Sequence, residues 1–321
     1  MRPHADKRHG IKYKIVAMSF KVYLFKKYAA CIFACLMMFS DGIFAQASAG
    51  TQKIFAKNNI VAWCIVPFDS KNRGPEERAL MLNELGITKL AYDWREKHIA
   101  EFDAELAALK KHHIRLQAFW MLSGTHPQND KNLQAAFDFL KRNKVKTQIW
   151  YMFVHPKNFD RLTQQQKLDT AVKAVRYVAQ RAAAIGCRLG LYNHEGWYGE
   201  PENQLAILKE LNDPNVGMVY NFNHAQQHTE RFAEFFPDIL PHLIALNLAG
   251  LKKGDQHIYP IGEGDSEKEM IRTVWKSSFK GPIGIINEDT DPDAETGLKM
   301  NMAGLKSILR QIGAQDEANT Y

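Results

Sequence analysis

The 321-residue sequence predicts an α/β domain built as a (β/α)8 TIM barrel, on three observations. Short apolar runs alternate with helical periodicity eight times. The runs are continuous Val/Ile/Leu/Tyr stretches rather than alternating ones, as parallel strands buried on both faces require. No Gly-x-Gly-x-x-Gly follows the first run, which counts against an open doubly wound sheet, the other arrangement of such a pattern.

The elements follow in order. A strand is expected over Ile60–Pro67, then a helix over Pro75–Leu85 with proline in its first turn. Ile87–Tyr92 reads as the second strand, and Ala100–His112 as a helix with Phe102, Leu106 and Leu109 on one face. Ile114–Trp120 and Val145–Val154 are the third and fourth strands, with a helix over Leu133–Asn143 between them. Gln164–Ile185 is helical and stopped by Gly186. Arg188–Tyr192, Val216–Phe222, Leu243–Leu248 and Pro282–Ile286 complete the strands. Their helices are Pro201–Leu211, Glu230–Phe236, Glu267–Ser278 and Ala294–Ile312.

Ahead of this repeat, Lys21, Lys26 and Lys27 precede the apolar run Tyr28–Phe39, and small residues follow at Ala45-Gln46-Ala47 and Ala47-Ser48-Ala49. That is the layout of a secretory signal peptide, here behind a basic extension. The run is short for a membrane span and is followed by Asp41. Residues 1–47 are therefore expected to be leader and residues 48–321 a single barrel domain, periplasmic or secreted, with no membrane association once the leader is removed. Loss of residues 1–47 removes eight Lys/Arg and two acids, taking the formal charge from +7 to +1. The basic character belongs to the leader and gives no support to nucleic-acid binding. Cys64 and Cys187, near the starts of the first and fifth strands on opposite sides of the barrel, are expected as two buried thiols.

Function in such barrels sits at the C-terminal strand ends, and polar and aromatic residues gather there. Asp69, Asp93, Trp94, Arg95, Trp120 and His155 follow the first four strands. The fifth empties into Asn193-His194-Glu195-Gly196-Trp197-Tyr198-Gly199-Glu200. Asn221 and His224, with His228 beyond, follow the sixth; Asn247 ends the seventh, and Asn287-Glu288-Asp289 the eighth. Asp69 also suits a cap or loop role. Trp94, Trp120 and Trp197 offer either core filling or stacking walls for sugar rings. His224 and His228 stand at i, i+4, one face of a helix and a recurrent metal-ligand spacing.

Tyr192-Asn193-His194, Asn221-Phe222-Asn223-His224 and Gly281-Pro282-Ile283-Gly284-Ile285 resemble the xylose-isomerase-like barrel superfamily, in particular exported sugar phosphate isomerase/epimerase-like proteins. The resemblance implies proton transfer beside a carbonyl, and in some relatives handling of 3-keto sugars or hydration of unsaturated ones. It also implies a metal held by Glu, Asp, His and Glu on strands five to eight. Here those positions read Tyr192, Asn221, Asn247 and Asn287, with Glu288 one residue on. Either His194, Glu200, His224 and His228 rebuild a site for one divalent ion (Zn, Mn or Co), or the histidines act directly as acid and base.

The expectation is a carbohydrate isomerase, epimerase or keto-sugar hydratase/lyase acting on an unphosphorylated small sugar. His194, His224 and Glu200 are its catalytic candidates; Asp93, Trp94, Trp120, Trp197, Asn221, Asn247 and Glu288 are substrate-binding. The rival is a non-catalytic sugar-binding barrel that has lost its ligands. A phosphodiester-cleaving enzyme lacks the acids and the basic groove it would need.

Overall fold

The computed structural model describes residues 53–255, 257–288 and 293–321. The expected leader, residues 1–47, and Asp289 lie outside the described residues. Strands β1 (Ile60–Trp63), β2 (Lys89–Tyr92), β3 (Arg115–Ser123), β4 (Gln148–Phe153), β5 (Arg188–Tyr192), β6 (Val216–Asn221), β7 (Leu243–Leu248) and β8 (Ile283–Ile286) close into a parallel barrel in sequential order. Helices α1 (Pro75–Glu84), α2 (Phe102–Lys111), α3 (Lys131–Arg142), α4 (Gln164–Ala184), α5 (Pro201–Leu211), α6 (Phe232–Ile239), α7 (Glu267–Trp275) and α8 (Ala294–Ile312) follow the strands one by one.

Local chemistry sets these boundaries. Gly74 precedes Pro75, whose missing N–H costs nothing at the first helical position. The Asp130 carboxylate accepts the Leu133 amide to start α3, and Thr163 and Gln166 form a capping box on α4. β1 stops at Trp63 rather than running to Pro67, because Cys64 takes up φ 56°, in the left-handed region where a strand cannot continue. Cys64 thereby stands at the mouth of the barrel and not near the start of β1; it and Cys187 are both buried free thiols.

Two apolar layers hold the barrel. The larger lies between strands and helices, with Leu90, Tyr92, Trp94, Phe102, Phe119 and Phe139 in contact around β2, β3, α2 and α3. The smaller fills the interior, where Trp63, Trp150 and Tyr192 crowd together beside small neighbours such as Ala91 and Ala118. Trp63 meets Trp150 edge-on at 5.0 Å and Tyr192 at 5.8 Å between ring centroids. These rings plug the barrel and give the mouth a floor.

The loop after β1 is tied to the start of the last helix. Arg73 bridges Asp69 at 2.8 Å and Asp293 at 2.9 Å, and the Asp69 carboxylate also accepts the Ala294 amide. Asp69 is thus occupied in closing the first and last repeats. Among the described residues, no helix is long and apolar enough to cross a membrane.

Candidate active site

The strand ends enclose a cleft of about 420 Å³, part of it open to solvent, floored by Trp63 and Tyr192. Asp93, Arg95 and Trp120 line it from β2 and β3; His194 and His224 line it from β5 and β6; Glu288 enters from β8. A second cleft, about 600 Å³ including open solvent, adjoins it and shares Glu288 as a wall.

The floor is neutral, and its Tyr192 and Asn221 side chains are hydrogen-bonded to each other. The Tyr192 hydroxyl accepts from Trp63 Nε1 at 3.2 Å and from the Asn221 amide, while burial raises its pKa well above the ordinary phenol value. Asn221 is fixed further, because its carbonyl accepts Asn193 Nδ2 at 3.1 Å and its side chain accepts the Asn223 amide at 3.0 Å. Asn247 is buried beside this group with neither side-chain amide atom paired. Gly284 is required opposite it, since a Cβ there would stand 2.0 Å from Asn247 Oδ1. All four positions at which the resemblance implies metal ligands, Tyr192, Asn221, Asn247 and Asn287, are therefore uncharged, and Tyr192 and Asn221 are bonded to each other. That donor set does not fit a divalent cation.

His194 and His224 come together above the floor, ring centroids 4.2 Å apart and planes tilted by 40°. His194 is aimed by a tight loop: Gly196 adopts φ 75°, and Gly199 lies so close to the His194 carbonyl that a Cβ would fall 1.5 Å from its oxygen. Burial, with His194 beside it, lowers the His224 pKa to about 3; burial lowers that of His194 as well. Both rings are neutral near pH 7, suited to hydrogen bonding with hydroxyl or carbonyl groups.

The acids facing them are shifted the other way. Burial, followed by the charge of Asp93, pushes Glu288 up to about 7, and its Oε2 accepts Asn223 Nδ2 at 2.9 Å. Burial pushes Asp93 up to about 6; its Oδ1 accepts the Val66 amide at 3.3 Å, while its buried Oδ2 has no partner. A carboxyl that titrates near neutrality can both take and return a proton.

Several sequence expectations change. Glu200 and His228 form their own pair at 3.1 Å outside the cleft, His228 on Tyr220 and Glu200 also on Arg231 at 3.3 Å. The i, i+4 argument fails because the segment is 3-10 helical, with three residues per turn, so His228 points away from His224 and packs on Phe235. Among the described residues no three His, Cys, Asp or Glu side chains gather as a ligand set, so His194, Glu200, His224 and His228 do not form one metal centre. Trp94 is core: strand alternation turns Asp93 inward and Trp94 outward onto Phe102 at 5.1 Å, with Nε1 on the Trp120 carbonyl. Trp197 bonds Gln164 and packs on Phe159, away from the cleft. The same alternation gives the inward position after β8 to Glu288, whereas Asn287 donates to the Phe68 carbonyl. Asn221 and Asn247 lie within or beneath the floor, while Asp93, Trp120 and Glu288 reach the cleft.

Residues 82–308 match the model of the xylose isomerase-like TIM barrel family. The chain belongs to that family. Among solved structures, this xylose isomerase-like barrel is similar to the IOLI protein with a bound zinc atom, at 12% identity and TM-score 0.63 over 79% of this chain and 98% of that one. It is similar also to the 3-keto-D-glucoside 4-epimerase YcjR of E. coli, in its apo form, at 15% identity and TM-score 0.60 over 78% and 99%. At such identities the likeness is one of fold. A curated relative, an uncharacterized N-acetyltransferase CgeE of Bacillus subtilis (strain 168), is 27% identical over 111 residues; the match spans 28% of this chain and 42% of that protein's length. Structures sharing the barrel include a D-tagatose 3-epimerase-like protein, a probable 3-DHS dehydratase and an AP endonuclease family 2 protein. Divalent metal recurs among them, zinc in one case and magnesium in another. Two of these structures carry the names of a sugar epimerase and of an epimerase-like protein.

Proposed function

We propose that this chain catalyses proton transfer at a carbon next to the carbonyl of an unphosphorylated, keto-type sugar, as an isomerase, epimerase or hydratase/lyase. The observation that carries the reading is the placement of Glu288, with its pKa near 7, in the same cleft as two neutral imidazoles. Glu288 exchanges the carbon-bound proton. His194 and His224 donate hydrogen bonds to the oxygen that gains charge, and Trp63 and Tyr192 provide an aromatic floor beneath the substrate. The fold-level likeness to a 3-keto-D-glucoside 4-epimerase supports a keto sugar. The leader-like residues 1–47 support a site outside the cytoplasm, where phosphorylated sugars are scarce.

The test is a screen of keto and non-keto sugars in D2O, read by NMR. Exchange confined to positions beside a carbonyl supports the reading; binding without exchange would return the chain to the non-catalytic alternative. A second reading, one transition ion (Zn, Mn or Co) on His194 and His224, is favoured by the 4.2 Å pairing of the rings and by metal in relatives. Elemental analysis of purified protein decides it: stoichiometric metal lost together with His224→Gln supports it, and metal-free active protein removes it.

A further inference from the structure

Among the described residues, Arg95 is the one permanent cation lining the cleft, and it shares that cleft with the carboxyls of Asp93 and Glu288, which its charge favours in their ionised form. Among the described residues Arg95 forms no ion pair, although Asp93 is two residues away. Its Nη1 donates to its own neighbours' carbonyls, Asp93 O at 2.6 Å and Trp94 O at 3.0 Å. Its face lies 5.0 Å from the Trp120 ring centroid and 5.6 Å from that of Phe68. These contacts fix the plane of the fork without neutralising it. A half-buried guanidinium held in this way matches a planar oxyanion far better than it matches neutral hydroxyls.

Two further unpaired polar atoms stand on the same wall. Trp120 Nε1 and Asp93 Oδ2 are both buried and without a partner. Asp93 as a whole is 1% exposed. The indole N–H is a donor, and together with the free side of Arg95 it forms a donor corner beside the Asp93 carboxyl.

We propose that this corner binds a carboxylate carried by the sugar substrate, so that the cleft takes a uronic or aldonic acid skeleton in preference to a neutral sugar. The inference deepens the proton-transfer reading and rests on it only for the sugar class. A carboxylate is favoured over a phosphate ester because a single arginine offsets one charge. The flanking acids Asp93 and Glu288 would oppose a dianion.

The experiment is calorimetric binding to the purified protein of D-glucuronate, D-galacturonate and D-gluconate, against D-glucose, D-galactose and D-glucose 6-phosphate. At least one carboxylate should bind about ten-fold or more tightly than its neutral counterpart, the value of one charge-assisted pair. Arg95→Gln should erase that difference, and Arg95→Lys should retain part of it, with circular dichroism confirming the fold. Equal affinity for neutral sugars, no binding by any carboxylate, tighter binding of the phosphate ester, or a preference that survives Arg95→Gln would each overturn the proposal. The affinities of the unaltered protein decide the matter even where the variants fail to fold. Binding is read without turnover, so its failure leaves the deuterium-exchange result for proton transfer standing, and the reverse also holds.

Discussion

The His224 ring packs on the His194 ring at 4.2 Å between centroids, and among the described residues neither ring makes a hydrogen bond. Two imidazoles in contact cannot both be protonated at low cost, and burial adds to the penalty. An NMR titration should therefore show His224 neutral down to about pH 4, its pKa lying at about 3. Because the unfolded chain protonates near 6.5, this residue lowers stability as pH falls from about 6.5 towards 3. His224→Gln should flatten that acid limb; a His224 resonance that titrates near 6.5 would contradict the packing described.

Glu288 should act on stability with the opposite sign. Its folded pKa of about 7 lies above the usual 4.5, so the folded state holds the proton more tightly and stability declines as pH rises from 4.5 through 7. Glu288→Gln keeps an acceptor for Asn223 and should raise the melting temperature at pH 8, by up to roughly 3 kcal/mol of stability, with no gain at pH 4. Equal effects at both pH values would show that burial does not hold the proton.

Tyr192 was legible in the sequence only as an unexpected residue in a family ligand position. The structure gives its reason: it is the acceptor for Trp63 and Asn221 inside the barrel. Tyr192→Phe leaves two buried N–H groups short of an acceptor and should cost about 1–3 kcal/mol, read as a lower urea midpoint with an unchanged slope. An unchanged midpoint would mean that the floor reorganises around the lost hydroxyl.

The Glu200–His228 pair should prove structural. It lies outside the cleft and joins the loop after β5 to the segment after β6, with Arg231 on the same carboxylate. Glu200→Gln should lower stability by about 1 kcal/mol and leave turnover close to that of the unaltered protein. Loss of turnover with intact folding would restore the catalytic role that the sequence alone implies for Glu200.

The barrel was readable because its signal is long: eight apolar runs, each with its own helix, leave little freedom in topology. The site was readable only where one residue fixes its own direction. His194 and His224 follow directly from strands whose ends are clear. Trp94 and Asn287 differ from Asp93 and Glu288 by a single step of strand alternation, and a strand end uncertain by one residue reverses which of each pair faces inward. His228 was misread because a 3-10 turn and an α-helical turn look alike at a spacing of four. Cys64 reached the mouth through a left-handed backbone that no residue type at that position announces.

The central claim is that Glu288 exchanges a carbon-bound proton in a cleft lined by neutral imidazoles. Its most direct test is deuterium incorporation from D2O beside the carbonyl of a bound 3-keto sugar, comparing the unaltered protein with Glu288→Gln. Exchange slowed by about 10²–10⁴-fold in the variant, with the sugar still bound, is the expected result. Exchange at an undiminished rate in a folded Glu288→Gln protein would contradict it.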